Sequence, residues 1–60
     1  MGHLVEQFNS IGEAKNHKKQ EGGRIYQTAW NSIWWFRNGV GCYSHEEALK
    51  TFNGKAELIK

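Results

Sequence analysis

Residues 23–44 read GRIYQTAWNSIWWFRNGVGCYS, and the rest of the chain is expected to be organised around this stretch. It contains all three tryptophans, both tyrosines and one of the three phenylalanines of the 60-residue chain. Aromatic and β-branched residues favour strands, and the pair Asn38-Gly39 within the stretch is a strong signal for a tight hairpin turn. The stretch therefore predicts a small twisted sheet, and the more polar sequence on either side of it predicts helices and termini.

Three strands are expected around these turns. Arg24–Trp30 and Ile33–Arg37 have the composition of strands, and a two-residue turn at Asn31-Ser32 joins them. Val40–Tyr43 is expected to pair back onto the second of these strands across Asn38-Gly39. Together the three segments form an antiparallel meander.

Two capping-box patterns, in which a serine is followed three residues later by a glutamate, predict two helices. The first helix begins after Ser10, runs toward Gln20 and ends at Gly22-Gly23. It has little apolar surface, so we expect it to pack weakly. The second helix begins after Ser44 and covers His45–Phe52, with a clear apolar side.

The N-terminal residues 1–7 fit either a helix or a strand. The spacing of Leu4, Phe8 and Ile11 is helical. Leu4, Glu6 and Phe8 also alternate along the chain in the way that is typical of a short strand. The sequence leaves this segment open.

A repeated pattern offers a second topology. The sequence Ser-x-x-Glu-Ala starts at Ser10 and again at Ser44. The same offset of 34 residues separates Ile25 from Ile59. A βαβ unit used twice gives the order βαββαβ. A continuous strand through Asn38-Gly39 would place a turn former within a ladder, so the meander is favoured.

The sequence as a whole predicts one α+β domain over residues 1–60. Its centre is the three-stranded antiparallel meander, with the C-terminal helix on one face and a weaker N-terminal helix beside it. Lys55–Lys60 can add a short last strand. A chain this short buries only about 60% of its unfolded surface, and a homodimer is one way to gain stability.

Composition argues against several classes of protein. The single cysteine, Cys42, cannot form an internal disulfide and suits a reducing compartment, so a cytoplasmic location is expected. No apolar run is long enough to span a membrane, so no membrane partner is expected. Cys42 and His45 lack a third catalytic group, and His3 and His17 complete no familiar zinc pattern. We expect no enzyme, no cofactor and no metal site.

With two-residue turns, strand pairing places three aromatic residues and an arginine on one sheet face: Tyr26, Trp30, Trp35 and Arg37. Four further basic residues form an electrostatic rim: Lys15, Lys18, Lys19 and Arg24. The C-terminal helix covers the opposite face, and the polar N-terminal helix covers this one poorly, so the aromatic face is expected to be exposed. In the alternative, apolar residues near the N-terminus fold over it and make a second core layer.

These features favour nucleic-acid binding, because bases stack on aromatic rings while lysine and arginine neutralise phosphates. The net charge of +2 agrees with this. The alternative is a protein–protein interaction module that binds and inhibits or modulates a larger protein, as small phage or mobile-element proteins do. Tryptophan, tyrosine and arginine are enriched at such interfaces, and the acidic Glu46-Glu47 pair argues in the same direction.

Overall fold

A computed structural model describes residues 4–60. It contains four strands and two helices: β1 Val5–Phe8, α1 Ile11–Glu21, β2 Arg24–Thr28, β3 Ile33–Phe36, α2 His45–Thr51 and β4 Ala56–Ile59. This confirms the α+β class, both helices and the last strand. The order of the elements is βαββαβ, which is the alternative topology rather than the favoured meander.

The four strands form one antiparallel sheet in the order β1-β3-β2-β4. The chain therefore makes two interleaved βαβ units, because β3 lies between β1 and β2 and β2 lies between β3 and β4. Both units step across the sheet in the same direction, but their strands run in opposite directions. Crossovers of the same hand then place α1 and α2 on opposite faces. The offset of 34 residues reflects this duplication, and Ile25 pairs directly with Ile59.

The predicted strand Val40–Tyr43 is wrong, because these residues lie in the loop between β3 and α2. β1 pairs with the edge of β3 that the meander assigns to this segment. Gly39 and Gly41 have φ values of 142° and 81°, which interrupt an extended strand. The Cys42 amide donates to the Gly39 carbonyl oxygen at 3.2 Å, so Asn38-Gly39 opens a wider turn.

Residues 29–32 connect β2 to β3, and the turn itself consists of the three residues 29–31, one more than predicted. The Thr28 amide closes it by donating to the Ser32 carbonyl oxygen at 2.9 Å. The buried Thr28 hydroxyl accepts from the Trp30 amide at 3.3 Å and from the Ser32 amide at 3.1 Å. Trp35 therefore pairs with Ile25 rather than Thr28. This odd shift in register moves the side chains of β3 to the other face relative to β2.

The sheet has a hydrophobic core on each face. The α1 core contains the buried residues Ala14, Ile25, Ile33 and Trp35. The indole Nε1 of Trp35 donates to the Gly22 carbonyl oxygen at 2.7 Å. Because Ala14 is small, α1 lies close to the indole, and a helix with few apolar residues still covers this face.

The α2 core on the other face is built around Tyr26, Phe36 and Ala48. α2 has only seven residues and is therefore about 10 Å long. Phe52 follows the helix and packs on Trp34 and Phe36, with ring centroids 5.8 and 5.9 Å apart. Such a short helix covers only part of a four-stranded sheet.

Candidate functional site

The predicted aromatic face does not form, because the longer turn changes the register. Tyr26 and Trp35 are fully buried, on opposite faces of the sheet. The guanidinium carbon of Arg37 lies 4.9 Å from the Trp35 ring centroid, and Arg37 pairs with Glu21 at 3.4 Å. Trp30 is the one predicted aromatic residue that is largely exposed, with 63% of its surface accessible.

The predicted basic rim is divided between two sides of the molecule. Lys15 and Lys19 are exposed on α1, and Lys18 is half-buried there. Arg24 instead points to the α2 face, where it contacts the loop before α2. α1 begins at the end of the sheet that carries the Trp30 turn and runs away from it, so Lys18 and Lys19 in its last turn lie at the far end. These residues do not surround one aromatic surface.

An apolar groove lies on the α2 face, between α2 and β1. Its volume is about 310 Å³, and it is lined by Val5, Trp34, Phe36, Tyr43, Thr51 and Phe52. Tyr43 in its wall is 43% exposed, and Leu4, next to Val5, is 47% exposed. We call this site the α2 groove.

Arg24 holds the loop that forms one wall of the α2 groove. Its Nε donates to Asn38 Oδ1 at 3.0 Å, and its Nη2 donates to the Tyr43 carbonyl oxygen. The Tyr43 ring also packs edge-to-face on Phe36, with centroids 5.7 Å apart. Tyr43 is therefore held in place by contacts within the chain.

The buried hydroxyl of Tyr26 ties α2 to the sheet. It accepts a hydrogen bond from Arg24 Nη1 at 2.9 Å and lies 2.7 Å from Nδ1 of His45, the first residue of α2. The two rings also stack, with centroids 5.6 Å apart. Because its hydrogen bonds are satisfied within the fold, this polar cluster stabilises the groove and does not itself form an open site.

A second cavity, of about 410 Å³, lies at the turn between β2 and β3 and is lined partly by Thr28, Asn31 and Lys55. It is open and more polar than the α2 groove. In the same region, Lys55 Nζ lies 5.8 Å from the Trp30 ring centroid. This end of the molecule thus combines one exposed indole with one cation.

Within residues 4–60, no three His, Cys, Asp or Glu side chains lie together in a way that could hold a metal ion. His3 lies outside the described residues. Cys42 is half-buried and its thiol is free. Neither helix in the described part of the chain has the length and apolar character needed to cross a bilayer.

No family model matches this chain, and no curated protein or solved structure matches it either.

Sequence reasoning missed the α2 groove. The predicted pairing correctly places Trp34 and Phe36 on one face, with the C-terminal helix over it. It treats that face as fully covered. The available signal was the length of the second helix, because seven residues cannot span four strands.

Proposed function

We propose that this chain is a non-enzymatic protein-binding module whose α2 groove receives apolar side chains of a partner protein. The observation that carries the proposal is the groove itself, an apolar concavity with Tyr43 and Leu4 exposed beside it. Apolar patches on small proteins are typical of contact surfaces, and ligand sites are mostly concave and apolar.

The composition and rigidity of the groove support the same function. Trp34, Tyr43 and Phe52 supply aromatic anchors of the kind that carry binding energy at protein interfaces. The Arg24 hydrogen bonds hold the Tyr43 wall in place, so less conformational freedom is lost on binding.

The size of the groove indicates the kind of partner surface that it takes. Its volume of about 310 Å³ is at the lower end of the range for ligand pockets, about 300–1,000 Å³. It therefore accommodates a few side chains of a short segment rather than the face of a domain. By occupying such a segment, the chain would inhibit or modulate a larger protein.

Selection from a displayed library of random peptides tests this proposal. The wild-type protein should enrich peptides with apolar side chains, and the variant Thr51→Trp, which adds an indole to the groove wall, should lose them. Lys50→Trp adds the same indole at an exposed α2 position that does not line the groove, and it should retain binding. If no peptide is enriched, or if both variants bind equally, the groove is not a protein-binding site.

Nucleic-acid binding is a second candidate, favoured by the pairing of Trp30 with Lys55. An exposed indole can stack on a base while a nearby cation neutralises phosphate. The test is the anisotropy of labelled single- and double-stranded oligonucleotides at low and high salt. Binding that weakens with salt and is lost in Trp30→Ala would support this candidate, whereas constant anisotropy at both salt concentrations would contradict it.

A further inference from the structure

The two edges of the sheet differ in protection. β4 is flanked by Lys55 and Lys60, and charged residues at an edge discourage pairing with another strand. Neither β1 nor β4 contains lysine or proline, but β1 is flanked by the uncharged residues Leu4 and Asn9. Within residues 4–60, no strand pairs with its outer side. β1 is therefore the less protected edge, and the α2 groove lies beside it.

The backbone of β1 offers hydrogen-bonding groups to a new strand. The Arg37 amide donates to the Leu4 carbonyl oxygen at 2.8 Å, which sets the alternation of the ladder. In an antiparallel ladder every second residue bonds to the same neighbour, so Glu6 also bonds toward β3. The N–H and C=O groups of Val5 and Gln7 consequently point away from the sheet.

The side chains of β1 define the pattern that a partner strand needs. Val5 and Gln7 lie on the α2 face, and Val5 lines the groove. Glu6 lies on the α1 face, with its side chain 40% exposed and its Oε2 3.7 Å from His17 Nε2. An added strand places the two residues opposite Val5 and Gln7 on the groove side, and the residue between them next to the Glu6 carboxylate.

Charge and size argue against a second copy of this chain as the added strand. Two-fold antiparallel pairing through Val5 and Gln7 sets Glu6 opposite Glu6 of the other copy, and like charges directly opposite are destabilising. β1 has only four residues, so pairing through it buries a small area. A stable interface buries roughly 800 Å² per partner. A short segment with a cation opposite Glu6 replaces this repulsion with attraction.

We propose that β1 binds an extended segment of another protein by antiparallel strand addition, and that this segment has the pattern apolar–basic–apolar. The two apolar residues pair with Val5 and Gln7 and reach the α2 groove, and the basic residue lies opposite Glu6. This inference rests on the proposed function, because it specifies the conformation and the chemistry of the groove's ligand.

A blocked pentapeptide, Thr-Val-Lys-Val-Thr, tests the strand pairing in an NMR titration. Methylating the backbone nitrogens of the two valines removes the donors that face β1, and this should weaken binding by about tenfold. Methylating the lysine nitrogen, which faces away from β1, is the matched control and should change the affinity little.

Variants of the protein test the edge and the charge. Gln7→Pro removes an outward donor at an edge position that tolerates proline, so it should lose the pentapeptide while keeping its melting temperature. Glu6→Lys should weaken the lysine pentapeptide by about threefold and strengthen a Thr-Val-Glu-Val-Thr peptide by a similar factor. Glu57→Lys makes the same change on β4 and should leave both affinities unchanged.

The outcomes separate this inference from the proposed function. Library peptides could lose binding to Thr51→Trp and yet bind Gln7→Pro as tightly as wild type, with no effect of methylating the peptide backbone. That result would overturn strand addition and leave the α2 groove as the binding site. Amide shifts centred on β4 would also overturn strand addition. If neither the library nor the pentapeptide yields a ligand, the proposed function itself fails.

Discussion

Trp35 joins three parts of the chain in the α1 core. Its indole donates to the Gly22 carbonyl oxygen, which lies just after α1. The His17 ring meets it edge-to-face with centroids 4.3 Å apart, and the Arg37 guanidinium carbon lies 4.9 Å from its centroid. Trp35 is therefore a structural residue, although its type and its aromatic neighbours suggest a binding platform.

We predict that Trp35→Ala prevents stable folding. Removing a buried tryptophan side chain costs about 3–5 kcal/mol, and a 60-residue chain has a total stability of about 3–9 kcal/mol. Trp30→Ala removes an indole that is 63% exposed and should change the melting temperature little. Thermal melts followed by circular dichroism compare the two variants. Wild-type stability in Trp35→Ala would contradict its place in the core.

Gly23 is required beside the Trp35 ring. Its φ is 94°, and a Cβ atom there would lie 2.5 Å from both Trp35 Nε1 and the Phe36 carbonyl oxygen. Gly23→Ala should combine backbone strain with overpacking and lower the free energy of unfolding by about 2–4 kcal/mol. Gly54 has φ of 74° with no atom within 4 Å of its Cβ position, so Gly54→Ala should cost only about 1 kcal/mol. Denaturant titrations that give equal costs would refute the close packing at Gly23.

Among the elements, α2 depends on its N-terminal capping box. Ser44 Oγ accepts from the Glu47 amide at 3.2 Å, and Glu47 Oε1 accepts from the Ser44 amide at 3.1 Å. The hydrogen bond from the Ser44 backbone is the main cause that lowers the pKa of the Glu47 carboxyl below its ordinary 4.5, and Lys50 adds to it. A carboxylate with a lowered pKa stabilises the folded chain above its ordinary pKa, and this stabilisation is lost as the pH falls through the lowered value.

Glu47→Gln should therefore destabilise the chain near neutral pH, and its difference from wild type should shrink below pH 4.5. Glu46→Gln removes one charge from the same turn without touching the Ser44 amide, so it is the control. Melting temperatures measured across this range check the prediction. A difference from wild type that does not change with pH would mean that the Glu47 charge does not act through the cap.

The Arg24 guanidinium group contacts both ends of the loop before α2. Arg24→Lys should loosen this loop and weaken peptide binding, because an ammonium group lacks the planar fork that reaches both Asn38 and Tyr43. Asn38→Ala removes one of these two contacts and should have an intermediate effect. Hydrogen exchange at the Cys42 amide measures the change. Equal exchange rates in all three proteins would refute the Arg24 anchor.

In the molecule as a whole, local signals predict the elements better than their pairing. The serine–glutamate patterns correctly place both helix starts, and Gly22 ends α1, because caps and stops are short-range interactions. The topology depends on Val5–Phe8, a four-residue strand whose pattern also fits a helix. In the sequence, the hairpin signal of Asn38-Gly39 is stronger than the strand signal of Val5–Phe8. In the structure, β1 nevertheless pairs with β3.

The candidate site was harder to predict because it depends on turn length and long-range contacts. A turn of three residues instead of two pairs Tyr26 with Trp34, so Tyr26 and Trp35 are buried on different faces of the sheet. The groove wall depends on a bond from Arg24 to a carbonyl oxygen 19 residues away. Neither sequence spacing nor composition specifies such a contact.

We expect the chain to be a monomer. Each face of the sheet already has a core, and self-pairing along β1 opposes two Glu6 carboxylates. The melting temperature should then be independent of protein concentration. A melting temperature that rises with concentration would indicate self-association and contradict this expectation.

We propose that partners bind at the α2 groove beside β1. Chemical-shift mapping of the isotope-labelled protein, titrated with a peptide selected from the library, locates the surface that binds. We predict that the largest changes occur at the Val5 and Tyr43 amides and at the Trp34 indole. Changes centred on the Trp30 indole and the lysines of α1 would contradict the claim.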